Sequence, residues 1–201
     1  VAPINDALAR DWPQCVRMNL LDDSLSADLA RSCGGLDAVM HARFAMLTDY
    51  AAGTGADAIL FTCSAFGPCI DAAKRRHPSI PVLKPNEAMV DEAAATGRRI
   101  GLVASFAPTL ASMPAEFPPE VPLQTRLAQG ALAGLGRGGT TAHDAAVAEA
   151  AAALVAEGCE VIALAQFSLA RARPVVEARC GVPVLTTVDS AVRALRARLE
   201  A

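Results

Sequence analysis

The chain has 201 residues, 53% of them hydrophobic and 19% charged, with a formal net charge of −3. That length supports a sizeable core in one or two domains, and the mild acidity leaves no basic footprint for nucleic acid. No run reaches the roughly 20 apolar residues that cross a bilayer and no secretory leader is visible, so the cytoplasm is the expected compartment and a membrane is not an expected partner.

Apolar periodicity predicts a helix over 4–11, a short strand over 16–20, a short helix over 26–33, a long amphipathic helix over 36–54 and a strand over 58–62. A helix over 68–77, a strand at 82–83 and a helix over 86–96 follow. The second half predicts strands over 99–104, 122–125, 160–165 and 183–185, with helices over 108–113, 141–157, 171–179 and 188–199. Such alternation of apolar strands with helices implies parallel sheets covered on both faces.

The two halves repeat. Ile59-Leu60-Phe61-Thr62-Cys63-Ser64-Ala65-Phe66-Gly67 returns 103 positions later as Ile162-Ala163-Leu164-Ala165-Gln166-Phe167-Ser168-Leu169-Ala170. Gly55-Ala56-Asp57-Ala58 matches Gly158-Cys159-Glu160-Val161, Ile80-Pro81-Val82-Leu83 matches Val182-Pro183-Val184-Leu185, and Val1-Ala2-Pro3 matches Phe106-Ala107-Pro108. A period near one hundred residues is too long for a solenoid and suits a duplicated α/β lobe. The expected lobes span 1–98 and 99–201, with 186–201 able to pack across. Because 99–104 has no counterpart before Val1, an N-terminal segment carrying a first strand is expected to be missing from the chain as given.

Ligands of such folds collect at the carboxyl ends of the strands. There stand Pro3, Asn5, Thr62, Cys63, Ser64 and Ala65 in the first half, and Ser105, Phe106, Thr109, Gln166, Phe167 and Ser168 in the second. About a pseudo-twofold axis, Cys63 and Gln166 look across one cleft. The strand-to-helix turns offer free backbone N–H groups, a seat for a carboxylate.

Six cysteines (Cys15, Cys33, Cys63, Cys69, Cys159, Cys180) are too sparse for a disulfide scaffold and form no C-x-x-C pair. Cys69, Cys159 and Cys180 read as core. His41, His77 and His143 stand apart on surface or helix positions, so no metal site is expected. Asn86 reads as a helix cap and Glu87 as a first-turn carboxylate. Gly134-Leu135-Gly136-Arg137-Gly138-Gly139 follows a helix, not a strand, and reads as a loop instead of a dinucleotide fingerprint. The proline-rich run at 114–122 reads as a surface connection.

The segment Phe61-Thr62-Cys63-Ser64-Ala65-Phe66-Gly67 resembles the first-lobe cysteine loop of the aspartate/glutamate racemase superfamily, which includes hydantoin and allantoin racemases, maleate isomerase and arylmalonate decarboxylase. Leu164-Ala165-Gln166-Phe167-Ser168 resembles the second-lobe loop, where two-cysteine racemases carry a cysteine. The resemblance covers essentially the whole chain. It implies two similar doubly wound parallel-sheet lobes related by a pseudo-twofold axis, a cofactor-free site between them, a small carboxylate-bearing substrate and a homo-oligomer, dimer or larger. Cys63 is then the catalytic thiol and the other strand-end residues bind substrate. Gln166 departs from the two-thiol pattern, since an amide takes no proton at physiological pH. Racemase chemistry is the expectation from the family, with single-cysteine decarboxylation or cis-trans isomerisation of small dicarboxylic acids as the alternative. A non-catalytic binding protein for small acids is the alternative of another class.

Overall fold

The computed structural model describes residues 2–32, 35–136 and 139–200. Val1, Cys33, Gly34, Arg137, Gly138 and Ala201 lie outside these, and with them the end of the helix expected over 26–33 and part of the glycine-rich run. The first half runs α1 (Ala2–Asp11), α2 (Leu25–Arg31), α3 (Ala38–Gly53), β1 (Ile59–Leu60), α4 (Gly67–Arg76), β2 (Val82–Leu83) and α5 (Glu87–Ala95). The second runs β3 (Ile100–Ala104), α6 (Ala107–Ser112), β4 (Leu123–Leu127), α7 (Ala131–Gly136), α8 (Thr140–Ala156), β5 (Val161–Leu164), α9 (Arg173–Cys180), β6 (Val184–Thr186) and α10 (Thr187–Leu199).

All strand pairing is parallel. In the second half the order is β4-β3-β5-β6, and β3, central and buried along its whole length, pairs Ile100 with Val161 and Val103 with Leu164. Alternation along these strands divides two cores. Val103, Ile162 and Leu164 meet Val147, Ala151 and Leu154 of α8 and Val176 of α9. Ile100, Leu102, Val161 and Ala163 meet Met89, Val90 and Ala93 of α5 together with Met113 and Phe117. Helices thus cover both faces, the doubly wound arrangement expected. Each fully buried Leu, Ile or Met contributes about 1.5–3 kcal/mol of transfer free energy. Gly101 lets α8 lie close to the sheet: a Cβ there would meet Ile162 Cδ1 at 2.9 Å and Leu154 Cβ at 3.1 Å.

The first half has a two-stranded sheet, with Ile59 opposite Val82 and Leu60 opposite Leu83. Phe44 of α3 packs on Phe61 and Phe66 at ring separations of 5.4 and 4.9 Å, closing a core with Met40, Ile70 and Val82. α3 starts at Asp37, whose carboxylate accepts the Met40 N–H at 2.9 Å. Gly55 and Gly158, equivalent in the repeat, both turn the chain from a helix toward a strand with positive φ of 83° and 93°. Few other residues adopt that conformation without strain.

Three expectations need correction. Residues 16–20 form no strand: Val16 and Met18 are 86% and 81% exposed. Their alternation is strand-like, but a strand exists only where a neighbour takes its backbone hydrogen bonds, and among the described residues β1 pairs with β2 alone. Ala131–Gly136, the front of the glycine-rich run included, is helical. α1 begins at Ala2 and not at Ile4, so Pro3 lies in its first turn, where proline is well suited, while Asn5 falls inside the helix as expected.

Candidate active site

Cys63 and Gln166 occupy the same backbone position in their halves. Cys63 is extended (φ −133°, ψ 120°) and opens a 3-10 turn, Ser64–Phe66, that runs into α4. Gln166 is extended (φ −137°, ψ 146°) and opens a 3-10 turn, Phe167–Ala172, that runs into α9. Phe106 repeats the conformation (φ −127°, ψ 117°) ahead of α6. No side chain caps any of the three turns, so their leading N–H groups are left for another acceptor.

Thr62, Cys63, Ser64, Ala65 and Phe106 are exposed, while Thr109, Gln166, Phe167 and Ser168 are half-buried and Ser105 is buried. Cys63 is the exposed cysteine among the described ones. Cys69 and Cys159 are buried, and burial pushes both thiols up, away from the reactive thiolate. Cys15 and Cys180 are half-buried and shifted in the same direction by the same cause.

The structure brings Ser105 and Gln166 into direct contact. The Ser105 backbone N–H donates to Gln166 Oε1 at 2.7 Å and the Ser105 hydroxyl donates to the same atom at 3.0 Å. Their separation of 61 residues is the register of the β3–β5 ladder, so the pair sits just past the last ladder residues, Val103 and Leu164.

One apolar cluster joins the halves beneath the site. Ile4, Ala7 and Leu8 of α1 and Val188 and Val192 of α10 pack with Leu60 at the end of β1 and with Phe167 and Ala170 after β5. Phe167 therefore has a packing role as well as a place at the strand end. Asn5 offers its main-chain carbonyl to Arg17 Nη1 at 2.9 Å.

Sequence reasoning missed Asp189. Its carboxylate accepts from Arg10 of α1 at 2.6 Å, from Arg173 of α9 at 2.9 Å and from the Thr186 hydroxyl at 2.8 Å, and Thr186 in turn accepts the Asp189 N–H as the cap of α10. Burial opposes ionisation of Asp189, but the hydrogen bonds from Thr186, Arg173 and Arg10 outweigh it and hold the carboxyl below the ordinary carboxylate range. Asn86 stands at the N-cap position of α5 as expected, but its side chain makes no capping bond; its amide donates to Glu116 at 3.1 Å instead. Glu87 pairs with Lys74 and Arg198, and Lys84 with Asp71, around a polar cavity of about 540 Å³. His143 is buried in α8, not on the surface, with Nδ1 2.8 Å from Asp144. Among the described residues no group of His, Cys, Asp and Glu gathers as metal ligands, and no helix is long and apolar enough to cross a membrane.

The fold has known counterparts. An aspartate racemase homologue from Pyrococcus horikoshii superposes with a TM-score of 0.74 at 12% identity, over 100% of this chain and 93% of that one. Glutamate racemase from Francisella tularensis, solved with D-glutamate, gives 0.63 at 14% identity over 98% and 76%. A glycine-to-cysteine variant of arylmalonate decarboxylase, in a sulfate-associated form, gives 0.59 at 20% identity over 82% and 77%. At these identities the likeness is one of fold. No curated protein sequence matches the chain. The family model for Asp/Glu/hydantoin racemases matches residues 2–195. With nearly the whole chain covered by that model, this protein belongs to the Asp/Glu/hydantoin racemase family.

Proposed function

We propose that this protein is a cofactor-independent enzyme that transfers a proton at the carbon α to a carboxylate, as racemases of its family do, with Cys63 as the acid–base group. The observation that carries the reading is the placement of one exposed cysteine at a strand end whose backbone is repeated at Gln166. As thiolate, Cys63 takes the α-proton, and the C–H electrons become the double bond of an enediolate whose charge rests on the carboxylate oxygens. The uncapped N–H groups of the turns after Cys63, Phe106 and Gln166 are donors of the kind that stabilise such a charge, an effect of about 3–4 kcal/mol for one well-placed donor. The Cys63 thiol returns the proton to the face presented to it, so the centre exchanges with retention, and it inverts where the planar enediolate turns over in the site before reprotonation.

Gln166 favours a second reading within the same chemistry, one-faced protonation. If a malonate-type substrate loses CO2, the C–C electrons form the same enediolate, the thiol protonates the carbon, and the thiolate recovers its proton from water. Addition of the thiolate to a carbon–carbon double bond, followed by rotation and elimination, is the corresponding isomerase route.

The test is incubation in D2O with D- and L-aspartate, D- and L-glutamate, N-acylated amino acids, hydantoins and substituted malonates, following α-deuteration, CO2 release and double-bond geometry. Wild type is expected to turn over at least one class, and Cys63→Ala to reduce that rate by about 10²–10⁴. Unchanged turnover in Cys63→Ala would remove the assignment. A binding protein without catalysis would show no turnover and a Cys63 alkylation rate typical of a free thiol, whereas an activated thiol is alkylated well below pH 8 and protected by ligand.

A further inference from the structure

Apart from one strand, the halves match element by element. α1 corresponds to α6, 16–20 to β4, α2 to α7, α3 to α8, β1 to β5, α4 to α9, β2 to β6 and α5 to α10. Only β3 has no counterpart among the described residues. In the second half β3 is an inner strand, paired with β4 on one side and with β5 on the other.

Both segments that would flank a counterpart of β3 are left open. At β5 the Ile162 N–H donates to Pro183, beside β6, and the Ala165 N–H donates to Val103 of β3. At the equivalent places the Ile59 N–H donates to Pro81, but the Thr62 N–H reaches no acceptor among the described residues. Ile59, Leu60 and Phe61 are accordingly half-buried where Ile162, Ala163 and Leu164 are fully buried. On the far side, Val16, Met18 and Leu20 alternate along 16–20 and all three are exposed. Val121 and Leu123, at the places of Val16 and Met18, pack into the second core. One strand between 16–20 and β1 would take the outward N–H groups of β1 and give 16–20 the backbone partner it lacks.

α1 fixes where that strand comes from. β3 leads through Ser105 and Phe106 into α6, which starts at Ala107 with Pro108 in its first turn, and α1 starts at Ala2 with Pro3 in the same place. Arg17 ties 16–20 to α1 through the Asn5 carbonyl, as β4 lies against α6. We propose that the first sheet takes one further parallel strand between 16–20 and β1, a run of five apolar residues, the length of β3, that belongs to the same chain and leads directly into α1. An inner parallel strand is covered on both faces, so its run is apolar throughout instead of alternating. The first sheet then repeats the order β4-β3-β5-β6. The proposal concerns the sheet and not the chemistry at Cys63, so either can fail without the other.

The probe is a second copy of Arg99-Ile100-Gly101-Leu102-Val103-Ala104-Ser105 fused directly ahead of Val1, which places it before α1 as β3 stands before α6. Amide hydrogen exchange followed by NMR is expected to slow by at least about tenfold at Leu60, at Thr62 and along 16–20, relative to the chain without the extension. The urea midpoint is expected to rise with it. An extension with proline in place of its glycine and its valine loses two ladder donors and is expected to leave both segments exchanging as before. If the extended chain fails to fold, the same peptide added in trans to the chain of 201 residues serves, with the same protection expected. Unchanged exchange at either segment or equal protection by the proline extension overturns the proposal. So does protection of the unextended chain that grows with its own concentration, which would assign the edge to a second copy.

Discussion

At neutral pH an amide neither accepts a proton nor surrenders one, so a carbon acid approached by Gln166 meets a hydrogen-bond donor and nothing that can reprotonate it. Under the proposed chemistry the only proton carried to carbon then comes from the side of Cys63. Installing a thiol at the equivalent position changes that. In Gln166→Cys, assayed in D2O by chiral chromatography with mass detection, the ratio of inverted to retained deuterated product is expected to rise by at least about tenfold over wild type. No change in that ratio would mean that the two strand ends do not share a substrate. Ser105 enters the same logic as a positioning residue: its N–H and hydroxyl both hold the Gln166 oxygen.

Among the elements, α10 depends on a single carboxylate at its start. Asp189 links α1, α9 and α10 through Arg10, Arg173 and Thr186 while its own side chain is 6% exposed. Asp189→Ala removes these bonds and is expected to lower stability by about 1–3 kcal/mol in urea denaturation at pH 7, a modest figure because both arginines remain partly hydrated when unpaired. The folded-state carboxyl lies below its ordinary range. Its contribution is therefore present above the unfolded value near 4 and lost as pH falls through the lower folded value. The gap between wild type and Asp189→Ala is expected to shrink on acidification below about pH 4, and a gap that widened there would contradict the assignment. The segment at 16–20 shows the opposite situation, a β-like pattern with no strand. Periodicity specifies which side chains share a face, but pairing needs a partner backbone.

For the molecule as a whole, the halves exchange helices. α5 belongs to the first half in sequence, yet Met89, Val90 and Ala93 bury against β3 and β5 of the second sheet. α10, at the other end of the chain, places Val188 and Val192 against Ile4, Ala7 and Leu8 of α1. Neither half keeps a complete core without the other, so calorimetry is expected to record one unfolding transition with equal van't Hoff and calorimetric enthalpies. Two resolved transitions would show that the lobes unfold independently.

The sequence alone determined the architecture, because apolar periodicity and an internal repeat are local properties carried by consecutive residues: parallel sheets covered on both faces, and equivalent strand ends at Cys63 and Gln166. It also marked Cys63 as the thiol to examine and Gln166 as the departure. Tertiary structure alone decided which way the Gln166 amide points, since that follows from the Ser105 N–H that reaches it. It decided too that Glu87 and Asp189 are occupied by cations from other elements, that α5 lies on the second sheet, and that 16–20 has no partner strand. Each of these depends on groups distant in sequence meeting in space, and residue order does not encode such meetings in any short window.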